Sequence, residues 1–265
     1  WFLRPMLRMR REALRAFLRA RGVPWIDDPS NQNPAFERVR LRTAGLSADP
    51  ARFDDAAHQR SELAERAAAL VDLHATMPSR GLVRLDPAFF AAADRDAAVH
   101  AFRALLAAVG GVEQMPDAAR VAALFDRVRA PLRATLSRTL VDARRTGTFL
   151  LREERDLPGP CEAADGMVWD GRFRLRHDGS PGSVVVPARC AVADVADVAV
   201  PASLARAALL AEPSLLKADD ASESVALNED TAPLAARRLA LPWSRLLPSF
   251  DLPLAQAVAR VVGAA

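Results

Sequence analysis

The hydrophobic period of this chain changes once, near residue 135, and that change decides its fold class. Before it, apolar residues recur at helical spacing: Leu63, Ala67, Leu70 and Val71, then Phe89, Phe90, Val99, Phe102, Leu105, Leu106 and Val109, then Val121, Leu124, Phe125 and Val128. The spacing predicts a helix from about Arg52 to Met77, a strand over Leu82–Leu85, one helix from Asp86-Pro87 to Gly110-Gly111, and another begun by Asp117. After it, runs alternate. Thr139–Ala143 and Thr148–Leu151 flank Arg144–Gly147, and Met167–Trp169 and Arg172–Arg176 flank Asp170-Gly171, a strong hairpin signal. Phe173 and Leu175 are expected on one face, with Arg172, Arg174 and Arg176 on the other. Ser183–Val186 adds a strand, Pro201–Ala211 and Leu254–Val262 short helices, and 217–231 reads as a polar loop. The expected fold is mainly α with a smaller β-containing C-terminal region, an α+β protein with a helical domain over 49–135 and a small antiparallel sheet region over 136–265.

At 265 residues the chain is comfortable as two domains. Its formal charge of +3 permits nucleic-acid binding without establishing it. Of 36 basic residues only Lys217 is lysine, and tyrosine is absent. Arginine abundance thus reflects coding bias as much as phosphate contacts, and each cluster must be argued by position. Cys161 and Cys190 form no CxxC and have no histidine at ligand spacing, so no metal site is expected; two free thiols in a reducing cytosol is the plainer reading. No apolar run approaches the ~18 residues of a membrane span, and no secretory signal is visible, so no membrane partner and a cytoplasmic location are expected. GxxxxGK[ST], GxGxxG and GxSxG are all absent. His58, His74, His100 and His177 are scattered, and each reads as a surface or partly buried histidine.

One stretch concentrates chemistry. Trp25-Ile26-Asp27-Asp28-Pro29-Ser30-Asn31 is an acidic turn, and Asn33-Pro34 follows as a helix start, Asn33 as cap and Pro34 in the first position. In the helix beyond, Arg38 and Arg42 share a face, Arg40 points roughly the other way, and Phe36 and Leu41 are expected to be buried. A helix before it, about Arg8 to Arg21 with Gly22 as its stop, buries Leu7, Leu14, Phe17 and Leu18 and lines Arg8, Arg11, Arg15 and Arg19 along the opposite side. That stripe reads either as a solvated face or as a track for a polyanion. The candidate constellation is Asp27, Asp28, Asn31, Arg38 and Arg42, a carboxylate loop beside a cationic helix; its plain alternative is a turn with local pairing.

Arg4-Pro5-Met6-Leu7, Arg11-Glu12-Ala13-Leu14, Trp25–Asn31 and Arg38–Arg42 together resemble the segment that closes the catalytic domain of tRNA(Ile)-lysidine synthetases, with Val39 where that family often has asparagine. Residues 1–48 carry the resemblance, and Trp169-Asp170-Gly171-Arg172-Phe173 is its most distinctive echo further on. The resemblance implies that residues 1–48 are the tail of an α/β nucleotide-binding domain. It implies an ATP-dependent ligase, using ATP and Mg, that activates C2 of the wobble cytidine in the CAU anticodon of tRNA(Ile). Free lysine then attacks, AMP leaves, and lysidine forms. It makes Asp28 and Asn31 the candidate catalytic residues, Asp28 orienting the loop or the amine. It makes Arg38 and Arg42 candidates for a tRNA phosphate or adenylate contact; with Arg40 and the polyanion track of Arg11, Arg15 and Arg19 they are the candidate RNA-binding residues, and the resemblance also implies a homodimer. The family's SGGxDS loop is not in this sequence, which begins at Trp1, so the chain is expected to start downstream of that loop and to show no ATP–pyrophosphate exchange alone. A competing reading is a non-catalytic RNA-binding or scaffold protein sharing only the layout. A third, a tRNA thiolase, is disfavoured because Cys161 and Cys190 lie far from the Asp-Pro-Ser-Asn loop.

Overall fold

The computed structural model describes residues 5–6, 9–44, 50–179, 183–188, 200–216, 224–227, 230 and 234–264, without the side chains of Arg42, Pro50 and Ala51. Two compact units are present, Trp1–Phe53 and Asp54–Ala265. The first contains α1 (Arg11–Ala20), a 3-10 turn over Pro29–Gln32 and α2 (Glu37–Thr43).

The second unit opens with α3 (Pro50–His74), most of which belongs to it, and passes directly into β1 (Ala75–Ser79) and β2 (Leu82–Leu85). The helix expected to reach Met77 therefore stops at His74. The Pro78–Gly81 breaker is a hairpin turn, with Gly81 at φ +76. Asp86 caps a short helix, α4 (Pro87–Phe90), by accepting from Ala88 N at 2.8 Å. Asp94 then caps α5 (Arg95–Gly110) by accepting from Ala97 N at 3.0 Å. One helix was expected here; two form because Asp94 supplies a second N-terminal cap inside the run. Asp117 caps α6 (Ala118–Arg127), accepting from Arg120 N at 2.9 Å.

The strands β3 (Leu132–Leu136), β4 (Thr139–Arg144) and β5 (Gly147–Arg152) follow, and all pairings in this first sheet are antiparallel, in the order β1-β2-β5-β4-β3. The sheet therefore draws strands from both sides of residue 135, and no unit boundary falls there. Local periodicity found the strand at Leu82–Leu85 but took β1 for the end of the helix and the breaker after it; β1 is a strand because it pairs with β2, which in turn pairs with β5 more than sixty residues downstream. β5 is buried on both faces. Leu150 joins the core built from α3 to α6, while Phe149 and Leu151 pack with Leu82 against Leu204, Ala205 and Ala208 of a helix beyond. The first core holds an aromatic knot, Phe89, Phe90, Phe102 and Phe125, with ring centroids 5.0 to 6.5 Å apart. His100 lies in this core at 3% exposure, not at the surface. Burial, with Arg60 adding to it against Asp251, pushes its pKa down to about 4, so it is neutral.

Beyond β5 come β6 (Cys161–Glu162), β7 (Val168–Trp169), β8 (Phe173–His177) and β9 (Val184–Pro187). Then follow α7 (Ala202–Leu210), β10 (Pro213–Leu216), β11 (Ser224–Ala226), β12 (Leu234–Arg238) and α8 (Leu252–Val262). They make two further antiparallel sheets, β11-β10-β9-β6 and β12-β8-β7. β11 falls inside the stretch expected to be a loop, and the long-range strands β10 and β12 have no local signal. Leu254 and Val258 of α8 return to the first core. The architecture is α+β with several antiparallel sheets.

The Asp170-Gly171 hairpin forms as expected: both residues have positive φ, 51° and 73°, and Arg172 N donates to Trp169 O at 3.1 Å. Arg174 and Arg176 face outward, but Arg172 is 1% exposed and belongs to the interior. The turn ends β-alternation one residue before Phe173, so Arg172 is not a member of the outward row. Its Nε donates to Asp170 Oδ2 (2.7 Å) and its Nη1 to Glu212 Oε1 (3.1 Å). Arg152, fully buried, donates to both Asp170 oxygens (3.1 and 2.9 Å), and Arg138 pairs with Asp170 as well. Glu212 also takes Arg238 (2.7 Å) and Arg80 (3.3 Å). Two carboxylates thus tie together the β1-β2 turn, the β3-β4 turn, the end of β5, the β7-β8 hairpin, the segment after α7 and β12. Cys190 and Lys217 lie outside the described residues.

Burial pushes the Glu212 carboxyl up, but Arg238, Arg172 and Arg80 outweigh it and hold it below the usual carboxylate range. A carboxylate with a depressed folded pKa stabilises fully above its unfolded value, about 4.3, and loses that contribution as pH falls through the folded value. The urea midpoint is therefore expected to fall as the medium is acidified below about pH 4.3, with Glu212→Gln giving a lower midpoint at neutrality and a flatter acid limb. An acid limb of equal slope in both proteins would remove Glu212 as its source.

Candidate functional site

The acidic turn of the first unit is built as its residues dictate. Asp28 Oδ1 accepts from Ser30 N (2.8 Å), Pro29 takes the first position, and Asn31 N closes onto Asp28 O (3.0 Å). Hydrogen bonds from the Ser30 backbone and hydroxyl, and the Arg38 charge beyond them, hold the Asp28 carboxyl below its ordinary value against a small desolvation penalty. At neutral pH it is an ionised cap committed to the turn, a poor proton acceptor but a fixed negative charge.

Asn33 does not start the next helix. Its Oδ1 accepts from Ala35 N (2.9 Å), and Phe36 N donates to its carbonyl (3.1 Å), so Asn33-Pro34 makes a separate turn and α2 begins at Glu37. Phe36 stays outside the helix. Phe36 and Leu41 are each 47% exposed, and Val39, at 6%, is the buried residue of α2. Arg40 turns back, its Nη1 donating to the carbonyls of Pro34 (2.9 Å) and Ala35 (3.0 Å), and so secures the turn. Arg38 lies over the Phe36 ring (5.8 Å) and reaches Asn31 Oδ1 at 3.5 Å. The Arg42 side chain is outside the described residues.

The arginine stripe of α1 has internal partners. Arg11 Nη2 donates to Asp27 Oδ1 at 3.1 Å, and Arg15 pairs with the same oxygen. The guanidinium groups of Arg15 and Arg19 lie over the Trp25 ring, 5.9 and 5.6 Å from its centroid. α1 starts at Arg11 and has no fully buried residue: Leu14 and Leu18 are half-buried, and Phe17 is 51% exposed with Arg21 over its ring. Leu7 and Arg8 lie outside the described residues. The five-residue constellation read from the sequence thus divides. Asp28, Asn31 and Arg38 meet on one side of the turn, Asp27 pairs with Arg11 and Arg15 of α1, and the fifth member, Arg42, has its side chain outside the described residues. The signal for the second group was present, since Arg11, Arg15 and Arg19 at spacings of four face Trp25 and Asp27, two apart in an extended segment.

Among the described residues no group of three or more His, Cys, Asp and Glu side chains could hold a metal ion. Asp28 is engaged by its cap and Asp27 by two arginines. No helix among the described residues is long and apolar enough to cross a membrane.

Residues 1–47 match the family model of the PP-loop domain. Along its full length the chain is 45% identical to the tRNA(Ile)-lysidine synthase of Mesorhizobium japonicum, the match covering 100% of this chain and 61% of that protein. It is 34% identical to the tRNA(Ile)-lysidine synthase of Rhizobium meliloti, over 98% of this chain and 58% of the relative. A stretch of 39 residues is 74% identical to the tRNA(Ile)-lysidine synthase of Hyphomonas neptunium, covering 15% of this chain and 11% of the relative. No solved structure matches significantly. The chain is thus similar along its whole length to tRNA(Ile)-lysidine synthases, and it spans about three fifths of the length of the first two relatives.

Proposed function

We propose that this chain works as part of an ATP-dependent ligase that joins free lysine to C2 of the wobble cytidine in the CAU anticodon of tRNA(Ile). The observation that carries this reading is the 45% identity, along the whole of this chain, to 61% of a tRNA(Ile)-lysidine synthase. The geometry of the first unit is in keeping with it. Residues 1–48 are read as the tail of an α/β catalytic domain. There Asp28 supplies a fixed negative charge, suited to orienting the loop or a lysine ammonium, and Asn31 and Arg38 stand beside it. Arg38 makes no ion pair with an acid among the described residues, so its charge is available to a phosphate. On this reading the ligase uses ATP and magnesium as its cofactors. The second unit is read as a tRNA-binding body; Arg174, Arg176 and Arg237 line an outward groove of about 480 Å³ together with Asp165 and Asp230. A homodimer and a cytoplasmic location complete the proposal.

The test is lysidine formation by the whole enzyme on tRNA(Ile) with CAU, against an elongator tRNA(Met) carrying the same anticodon. Lysidine on the first and not the second supports the reading. RNA binding without lysidine supports the non-catalytic binder instead. If Arg38 meets a phosphate, Arg38→Glu should weaken tRNA binding and lower the slope of log K against log salt by about 0.9. An unchanged slope would place Arg38 away from the RNA.

A further inference from the structure

The segment 24–27 carries no regular structure, and among the described residues its backbone makes no backbone–backbone hydrogen bond. The last tie before it is Val23 N to Leu18 O (3.0 Å), and the next is the Asn31 N–Asp28 O bond (3.0 Å) that closes the acidic turn. What holds the path between them is side-chain contact with α1. Asp27 is gripped by Arg11 and Arg15, and Trp25 lies under Arg15 and Arg19. Between the two held residues, Ile26 is 95% exposed and fixes nothing. Arg15 is the residue that touches both anchors.

Exposed ion pairs and exposed cation–π contacts each contribute little to stability. Asp27 and Arg11 have about half of their side-chain surface exposed, so the clamp does not hold the unit folded. Its effect is geometric, because Asp27 is bonded directly to Asp28 and any drift of the segment carries the capped turn with it. Resting on the reading of Asp28, Asn31 and Arg38 as part of the active-site rim, we infer that Arg15, with Asp27 and Trp25, is a positioning residue that sets the acidic turn in register for the reaction. It is not an RNA contact. Displacement of such a loop by about an ångström is enough to slow a reaction by up to about 100-fold without loss of substrate affinity.

The test uses the whole enzyme, with Arg15→Ala, Asp27→Ala, the double variant and Arg15→Lys. The expected result is a fall in kcat of about 10- to 100-fold for each alanine variant, with KM for tRNA little changed. The double variant should be no worse than the poorer single, and Arg15→Lys, which restores the ion pair to Asp27, should recover part of the loss. Hydrogen exchange of residues 23–33 should quicken in both alanine variants while the melting temperature stays put. A raised KM for tRNA with kcat intact, together with a lower salt slope, would make Arg15 an RNA contact and overturn the inference. Unchanged exchange over 23–33 would also overturn it. Should the wild-type enzyme form no lysidine, the functional reading fails, and the exchange experiment still decides whether the clamp holds the turn.

Discussion

Replacing Asp170 with alanine is expected to destabilise the second unit by about 3 to 5 kcal/mol, the range for removing one partner of a buried ion pair. The Asp170 carboxylate is fully buried and accepts from Arg152 and Arg172, themselves 0% and 1% exposed at the side chain, and from Arg138. Without it, two guanidinium groups remain in the interior. Arg172 keeps Glu212, but Arg152 keeps only backbone carbonyls, those of Glu153, Arg155 (2.9 Å) and Asp156 (3.1 Å). Urea unfolding by circular dichroism measures the loss. Asp126→Ala is the control: Arg95 meets Asp126 at 2.8 Å, but both side chains are about half exposed, and solvent screening makes that pair nearly inconsequential. Equal losses in the two variants would show that burial does not set the strength of the Asp170 cluster.

The second large effect is expected at Gly171, where alanine should cost about 2 to 5 kcal/mol, summing left-handed strain and overpacking. Gly171 has φ +73°, and an added Cβ would press on the carbonyl of Gly111. That glycine, at φ +74°, answers with the same constraint: its own Cβ would lie 2.5 Å from Asp170 O and 2.7 Å from Arg172 Cγ. The end of α5 and the hairpin turn therefore meet backbone to backbone. Gly166 shares the positive φ (+75°), but a Cβ there would have nothing within 4 Å, so Gly166→Ala reports the backbone strain alone. The difference between the two variants in urea midpoint isolates the steric part, and no difference would mean that the contact relaxes freely.

Both effects come from the Trp169–Phe173 motif, and they show where sequence reading stopped. Asp170-Gly171 was legible as a hairpin because its turn chemistry is local. That Arg172 points inward was not, since its acid partner Glu212 is forty residues on and the inward geometry comes from the turn. The helix starts at Asp86 and Asp117 were legible for the same local reason, each bonding within three residues, whereas the cap at Asp94 was hidden inside what read as one continuous helix. The strands β1, β3, β10 and β12 were not, since what makes them strands is a neighbour from elsewhere in the chain. In the acidic loop, Asp28 was placed correctly as a turn cap. Arg40 and the α1 arginines were read as outward charges because charge patterning alone cannot separate a solvated guanidinium from one turned onto its own backbone or onto Trp25.

The buried arginine–carboxylate cluster also bears on how the protein is made. Glu212 meets Arg80 from the β1-β2 turn, Arg172 from the hairpin and Arg238 from β12, and β12 is the direct neighbour of β8. A ribosome releases these groups in order, so Asp170 and Arg172 leave the exit tunnel well before Glu212, and Glu212 before Arg238. The Asp170 half, with Arg138, Arg152 and Arg172, is available early, while the Glu212 half lacks a partner until later. The Glu212 half of the cluster is complete only when Arg238 of β12 has emerged, so that half waits on one of the last strands to be made.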